Sequence, residues 1–284
     1  MLRMKKQLFL IVFLTLTSVL NAQNFSPAYF GPNANPVWEF TDATIPPKTT
    51  ITLAEDFFFG FGDRTISTKP TIEVPLLPEC VSLKVWVTLL EYFELTEEVA
   101  KKRSIVGKDL SGFANGDFYV QTRIRIFKEK EKMPSVILNS TLKTASGTNQ
   151  DQGRYFDTPG YYFDAELGKS IHTKSKLVSE IRGVANIGFL CWETVYTQND
   201  APMFGGKIIL SNKHIDFENA LSGYSGWMGN GGSDPLIYRS KLSLKTSRLN
   251  YHLMYQYGIR DFPYHHIQGG ISIELQKLTP RYNF

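Results

Sequence analysis

The stretch DFYVQTRIRIFK, residues 117–128, sorts its side chains by parity into two chemically opposite sets. Phe118, Val120, Thr122, Ile124 and Ile126 fall on one side, and Tyr119, Gln121, Arg123 and Arg125 on the other. Successive β-carbons of an extended chain point to opposite faces of a sheet, so a period of two predicts a strand with one apolar and one wet face. The pattern recurs on both sides of this stretch. Residues 81–92 set Val81, Leu83, Val85, Val87 and Leu89 against Ser82, Lys84, Trp86 and Thr88. Residues 236–245 set Leu236, Tyr238, Leu242 and Leu244 against Arg239, Lys241, Ser243 and Lys245. Residues 249–259 set Leu249, Tyr251, Leu253, Tyr255, Tyr257 and Ile259 against Asn250, His252 and Gln256, and residues 271–276 set Ile271, Ile273 and Leu275 against Ser272, Glu274 and Gln276. Residues 136–144 follow the rule with one slip of parity. Weaker candidates near 37–42, 50–59, 68–74, 161–172, 177–196, 204–211 and 214–221 bring the total to about twelve strands.

Several of the strong strands run nine to twelve residues. That exceeds the usual five or six of a soluble sheet and suits a tilted strand crossing a bilayer. The connections are unequal. Residues 94–113, 145–160 and 222–234 are long, polar or glycine-rich, whereas 212–213 and 246–248 are tight turns. Within the first long connection, ELTEEVAKKR places acids early and bases late, as a helix dipole prefers, and predicts a loop helix.

Residues 1–22 predict export. Arg3, Lys5 and Lys6 precede the apolar core LFLIVFL (8–14), and a more polar exit leads to Ala22, the order of a secretory signal peptide. The remaining residues, 23–284, show no composition step or linker and are read as one domain. Net charge is +4, and the leader carries three cations without an acid, which leaves +1 on the remainder. Near-neutrality argues against a nucleic-acid partner.

Cys80 and Cys191 are too few for a disulfide framework, and both lie in strand-like surroundings. No Cys/His cluster has metal spacing and no cofactor motif is present, so neither a metal nor a cofactor is expected. The catalytic patterns are equally thin: no G-x-S-x-G elbow appears, and His172, His214, His252, His265 and His266 lack a motif partner. His252 is the best-placed of the five for a rim enzyme acting on lipid. Catalytic residues are not assigned.

The leader, the alternating strands, the tyrosine-rich apolar faces and the terminal Phe284 together resemble a Gram-negative outer-membrane β-barrel, in which an aromatic last residue aids recognition by the assembly machinery. Pro280 departs from that pattern, because a closing strand should donate backbone hydrogen bonds there. Gly116-Asp117 at the start of one strand and the sequence KTASG (143–147) at the end of the next are similar to elements of the MetA-like phenol-degradation barrels, a family associated with transport. The resemblance implies an all-β fold, a single antiparallel transmembrane barrel of about twelve strands with long loops on one side, placed in the outer membrane.

In such a barrel the polar faces turn inward. Arg123, Arg125, Lys143, Arg239, Lys241, His252 and Glu274 would then line the lumen, either paired with acids such as Asp216 and Glu218 or forming an anion-attracting constriction. Trp38, Trp86, Trp192 and Trp227 would mark the lipid interface. The expected function is a pore or transport protein for small, anionic or aromatic solutes, without catalytic chemistry, with membrane lipid and the barrel-assembly machinery as partners. Three alternatives share the alternation: a closed structural barrel, a lipid-modifying barrel, and a secreted soluble sandwich whose apolar faces meet each other.

Overall fold

In the computed structural model, residues 29–105, 107–194, 197–226 and 234–280 are described. The wall is built from β1 (Thr49–Phe59), β2 (Asp63–Leu77), β3 (Val81–Val87), β4 (Leu90–Leu95), β5 (Ser111–Ala114), β6 (Phe118–Phe127) and β7 (Ser135–Lys143). It continues with β8 (Gly160–His172), β9 (Glu180–Thr194), β10 (Thr197–Ser211), β11 (Ile215–Tyr224), β12 (Leu236–Lys245), β13 (Leu249–Arg260) and β14 (His265–Leu275). Each pairs antiparallel with its neighbours. The ring closes where β1 runs alongside β14 from Thr49 opposite Leu275 to Phe59 opposite His265.

Fourteen segments make twelve staves, because two staves are broken. The lower part of β2 pairs with β3 and its upper part with β4, so β3 and β4 are one stave interrupted at Thr88 and Leu89. The neighbouring stave, β5 plus β6, is interrupted at residues 115–117. The two breaks lie side by side and are tied by the Gly116 amide donating to the Thr88 carbonyl at 2.8 Å. At the first break Leu89 and Leu90 both face outward, a slip of one residue in parity.

The faces decide between barrel and sandwich. Ile187 is 61% exposed on the outside of the wall, whereas Arg123 is 1% exposed inside it. Leu253, Ile208 and Leu142 likewise project outward, and Gln256, Asn139 and Glu166 project inward. A soluble sandwich would bury the apolar set, so that reading is excluded. Closure of β1 on β14 removes the edges that would leave orphan backbone groups, each costing several kcal/mol in hydrocarbon; β5, paired with β4 alone, lies at the upper rim. Among the described residues no helix is long and apolar enough to cross a membrane.

Several local expectations are corrected. β7 alternates strictly, with Ile137 buried inside and Ser140 outside, so no parity slip occurs. His265 and His266 open β14 instead of lying in a connection. The wall ends at Leu275, followed by a single 3-10 turn to Leu278, and Pro280 therefore lies beyond the ladder. The loop helix is α1 (Glu97–Lys102), capped by the Thr96 hydroxyl at the Val99 amide. Cys80 is exposed and Cys191 buried, with no disulfide between them. The leader, Trp227 and Phe284 lie outside the described residues.

Both chain ends of the ring, at Thr49 and Leu275, lie at one rim, called lower below. The turns at 78–80, 212–214 and 246–248 share it, whereas the long connections 96–110, 144–159 and 225–235 all leave the upper rim.

Candidate functional site

Residues 37–42 do not form a strand. They belong to a segment, 29–48, that runs down the inside of the barrel from the upper rim to the start of β1. The ring is already closed without it, so its backbone finds partners among lumenal side chains instead of a sheet edge. Arg239 donates to the carbonyls of Val37 and Trp38, the latter at 2.7 Å. Lys207 donates to the Phe40 carbonyl at 2.7 Å, Arg182 to Asp42 at 2.6 Å, and Arg123 to Thr44 at 2.8 Å. The Thr41 amide donates to Glu166 at 2.9 Å, and the Trp38 indole donates to Asn186 at 3.0 Å. Buried backbone polar groups demand such partners, and here four wall cations each satisfy at least one threaded carbonyl.

The upper end of the segment is held under a cap. Loop 96–110, loop 144–159 and residues 29–34 share an apolar core that includes Phe30, Phe93, Val99, Ile105 and Phe156. Arg154 is buried at its centre, donating to Glu91, Asp63 and Thr65, each at 2.8 Å, with its guanidinium 4.5 Å from the centre of the Phe93 ring. Arg103 pairs with the same Asp63 at 2.7 Å. Asn33 of the threaded segment donates to Glu91 at 2.7 Å, and the Gly31 amide donates to the Gly153 carbonyl at 2.8 Å. The Tyr155 hydroxyl donates to Glu91 at 2.8 Å; burial, with the Glu91 charge beside it, pushes its ionisation well above the ordinary tyrosine range.

Of the spaces beside the segment, one of about 340 Å³ lies at the lower rim between residues 43–47 and Arg125, and two others meet at the segment's middle. The larger, a cavity of about 780 Å³, fills the lower half of the lumen and is lined by polar groups including Lys241, Lys245, Asp216, Glu180 and His252. The smaller, about 140 Å³, lies above it and is walled by Trp38, Phe58, Trp86, Tyr119, Trp192 and Phe262. A cavity of roughly this volume has room for a single aromatic ring, and Gln121, Arg239, Gln256 and His266 add polar groups to its lining. Trp38, Trp86 and Trp192 thus serve the interior, which corrects their assignment to the lipid interface. Sequence parity turns Trp86 inward; nothing local marks Trp38 as lumenal. Among the described residues the outer wall instead carries an aromatic patch of Phe57, Phe59, Tyr255, Tyr257 and His265, with Phe59 stacked on His265 at 5.0 Å and Tyr255 bonded to its ring nitrogen at 2.8 Å.

Glu39, Lys69, Thr71, Lys84 and Gln268 border both spaces and form the constriction between them. Lys241 pairs with Glu39 at 3.1 Å, and Lys69 with Asp56 at 3.4 Å. Lys84 has no ion pair or hydrogen bond among the described residues; its ammonium rests over the Trp86 ring at 5.3 Å.

The seven expected lumen residues separate into groups. Arg123, Lys241 and His252 line the lower cavity, Arg239 lines the upper chamber, and Arg123 and Arg239 are engaged by the threaded segment. His252 bonds Gln268 at 3.0 Å. Lys143 is not at the cavity: it is buried against Asp117 at 2.7 Å. Arg125 lies near the lower rim with Glu79 at 3.4 Å, and Glu274 is an exposed partner of Lys48 at 2.9 Å. Asp216 and Glu218 do pair with lumenal bases, Lys245 and Lys207. No motif marks Lys69, Lys84, Glu39 or Lys207 as a site residue, although the parity of 81–92 turns Lys84 to the wet face.

The Gly-Asp and KTASG elements meet in space. Asp117 bridges the Lys143 ammonium and the Gly147 amide, the latter at 2.7 Å. A β-carbon on Gly116 or Gly147 would collide with Tyr155, at 2.8 Å or less, so both glycines let the capping loop seat on the wall.

No protein-family model and no curated protein matches the chain. Among solved structures the chain is similar to an outer membrane channel from Pseudomonas putida F1, at TM-score 0.53 and 9% identity, covering 84% of this chain and 100% of that one. The transport unit of the autotransporter AIDA-I from Escherichia coli aligns at TM-score 0.49 and 9% identity, covering 92% and 99%. LpxR from Salmonella typhimurium aligns at TM-score 0.49 and 7% identity, covering 80% and 100%. The first of these likenesses establishes the fold, a closed barrel of the outer-membrane type.

Proposed function

We propose that this chain is an outer-membrane pore for small solutes whose conduction is set by the threaded segment 29–48, and that it has no catalytic chemistry. Residues 1–22 are its export signal, the lower rim faces the periplasm, and the capped rim faces outward. The observation that carries the reading is the lumen itself: a barrel of this width is not packed solid but holds a polar cavity of about 780 Å³ and, sharing five lining residues with it, a smaller aromatic chamber. At the constriction between them Lys84 has no ion pair among the described residues and Lys241, just below, answers the threaded Glu39, an arrangement that favours small anions. The aromatic chamber suits a single-ring solute. Function as a channel in the Pseudomonas structure adds an analogy of fold.

The cap supports a second reading, a barrel closed at rest. Arg154, Asp63, Glu91 and Tyr155 seal the upper end in a buried network. Planar-bilayer recording of the full mature chain separates the two. Steady current steps with anion selectivity support the resting pore; current that appears only when the cap is opened supports the closed barrel; silence in both, in protein shown to be folded by its heat-dependent electrophoretic mobility, overturns transport.

A further inference from the structure

Glu39 occupies an unusual place. It is carried by the threaded segment, not the wall, and its side chain is 38% exposed to the lower cavity instead of being packed away. Lys241, Arg239, Lys207 and Lys69 all act on it electrostatically. The other acids near the constriction have their own partners on the wall: Glu73 with Arg123 at 2.6 Å, Glu218 with Lys207 at 2.9 Å, and Asp56 with His266 at 2.7 Å. Lys84 makes no ion pair among the described residues; Glu73, opposite it on β2 but bonded to Arg123, acts on it through space together with Arg123, Glu39 and Lys241.

Two wall cations, Lys84 and Lys241, with one threaded carboxylate between them have the form of a ligand site filled by a built-in competitor. We infer that the constriction is a binding site for a small monocarboxylate, taken between Lys84 and Lys241, and that Glu39 is a tethered carboxylate holding the site until the free ligand displaces it. Lys84 supplies the charge that Glu39 does not neutralise, and Lys241 exchanges one carboxylate for another. The substrate class deepens the pore reading and rests on it for transport; binding itself does not.

The test uses the detergent-purified full chain and tryptophan emission, because Trp86 lies directly beneath the Lys84 ammonium. Butyrate is titrated, with butyramide as the neutral isostere. The wild type is expected to respond saturably to butyrate alone, and Glu39→Gln to bind it about tenfold more tightly because the competitor is gone. Glu39→Asp, which keeps the charge on a shorter arm, should fall between them, and Lys84→Met in the Glu39→Gln background should abolish the response. An unchanged or weaker affinity in Glu39→Gln overturns the inference, as does an equal response to butyramide. Bilayer current is recorded on the same variants: butyrate binding without current refutes the pore and leaves the site, whereas current without butyrate binding refutes the site and leaves the pore.

Discussion

The guanidinium of Arg154 fills the space that a β-carbon on Gly31 would need: an atom built there lies 2.6 Å from the guanidinium carbon. Glycine at position 31 therefore lets the threaded segment pass directly beneath the charged plane that organises the cap. Gly31→Leu forces one of the two to move, and Arg154 is fixed by three hydrogen bonds. The expected outcome is release of the upper end of the segment, read as protease sensitivity of residues 29–36 and a larger single-channel conductance, with heat-dependent mobility retained. A variant as resistant and as quiet as the wild type would show that this contact does not latch the segment.

Arg154→Ala tests the same cap from the other side. It leaves Glu91 and part of Asp63 as buried charges without their main partner, a change that costs about 3–5 kcal/mol. Arg103 still pairs with Asp63, so most of the loss falls on Glu91. Thermal unfolding of the full chain in detergent should drop accordingly, and Arg154→Lys, which keeps the charge but not the planar fork, should recover only part of it.

The wall was legible in the sequence because it obeys a local rule. Tyr251, Leu253, Tyr255 and Tyr257 alternate with His252, Met254 and Gln256 whatever lies across the sheet, and parity alone assigns their faces. What parity cannot do is say which extended segment joins the sheet. Residues 37–42 look like another short strand, and only the closure of β1 on β14, a pairing across more than two hundred residues, leaves them no edge to join. The site suffers for the same reason. Lys84 and Lys241 are readable as inward cations, but Glu39 becomes a site residue only through the path of the segment, and Lys143 leaves the site only through its partner Asp117 on the adjacent strand.

Acid should loosen the lower rim before the wall. At Glu129, in the 128–134 turn, burial raises the pKa, but the Ser170 amide, Arg182 and Lys169 outweigh it and hold the carboxyl below its ordinary range. A group whose pKa falls on folding contributes stability that is present above its unfolded value and is lost as pH falls through the folded one. The unfolding temperature should therefore decline as pH is lowered from about 4.3, and the decline should be shallower in Glu129→Gln, which is already without the charge. Identical profiles for the two proteins would remove Glu129 from the account.

The Asp117–Lys143 pair ties the break in the β5–β6 stave to the foot of the capping loop. Both side chains are almost completely buried, so Lys143→Met strands a carboxylate at a cost of about 3–5 kcal/mol. Converting Asp117 to Asn in the same molecule removes the stranded charge and keeps an oxygen for the Gly147 amide. The double variant should regain most of the stability lost by Lys143→Met, as measured by the thermal transition in detergent. Equal losses in the single and double variants would mean that the pair is not coupled.

Neighbouring residues on β13 give the sharpest test of the wall, because His252 and Leu253 are joined by one peptide bond yet face opposite media. Leu253 is 59% exposed on the outer surface, and His252 bonds Gln268 inside. In a lipid-embedded barrel, Leu253→Arg puts a charge against hydrocarbon and costs about 2–4 kcal/mol near the midplane. His252→Asn, facing water in the lower cavity and still able to bond Gln268, should cost under about 1 kcal/mol. Denaturant titration of the barrel refolded into vesicles measures both. The asymmetry should vanish in micelles thin enough for the arginine to reach water, since the penalty belongs to the lipid and not to the strand.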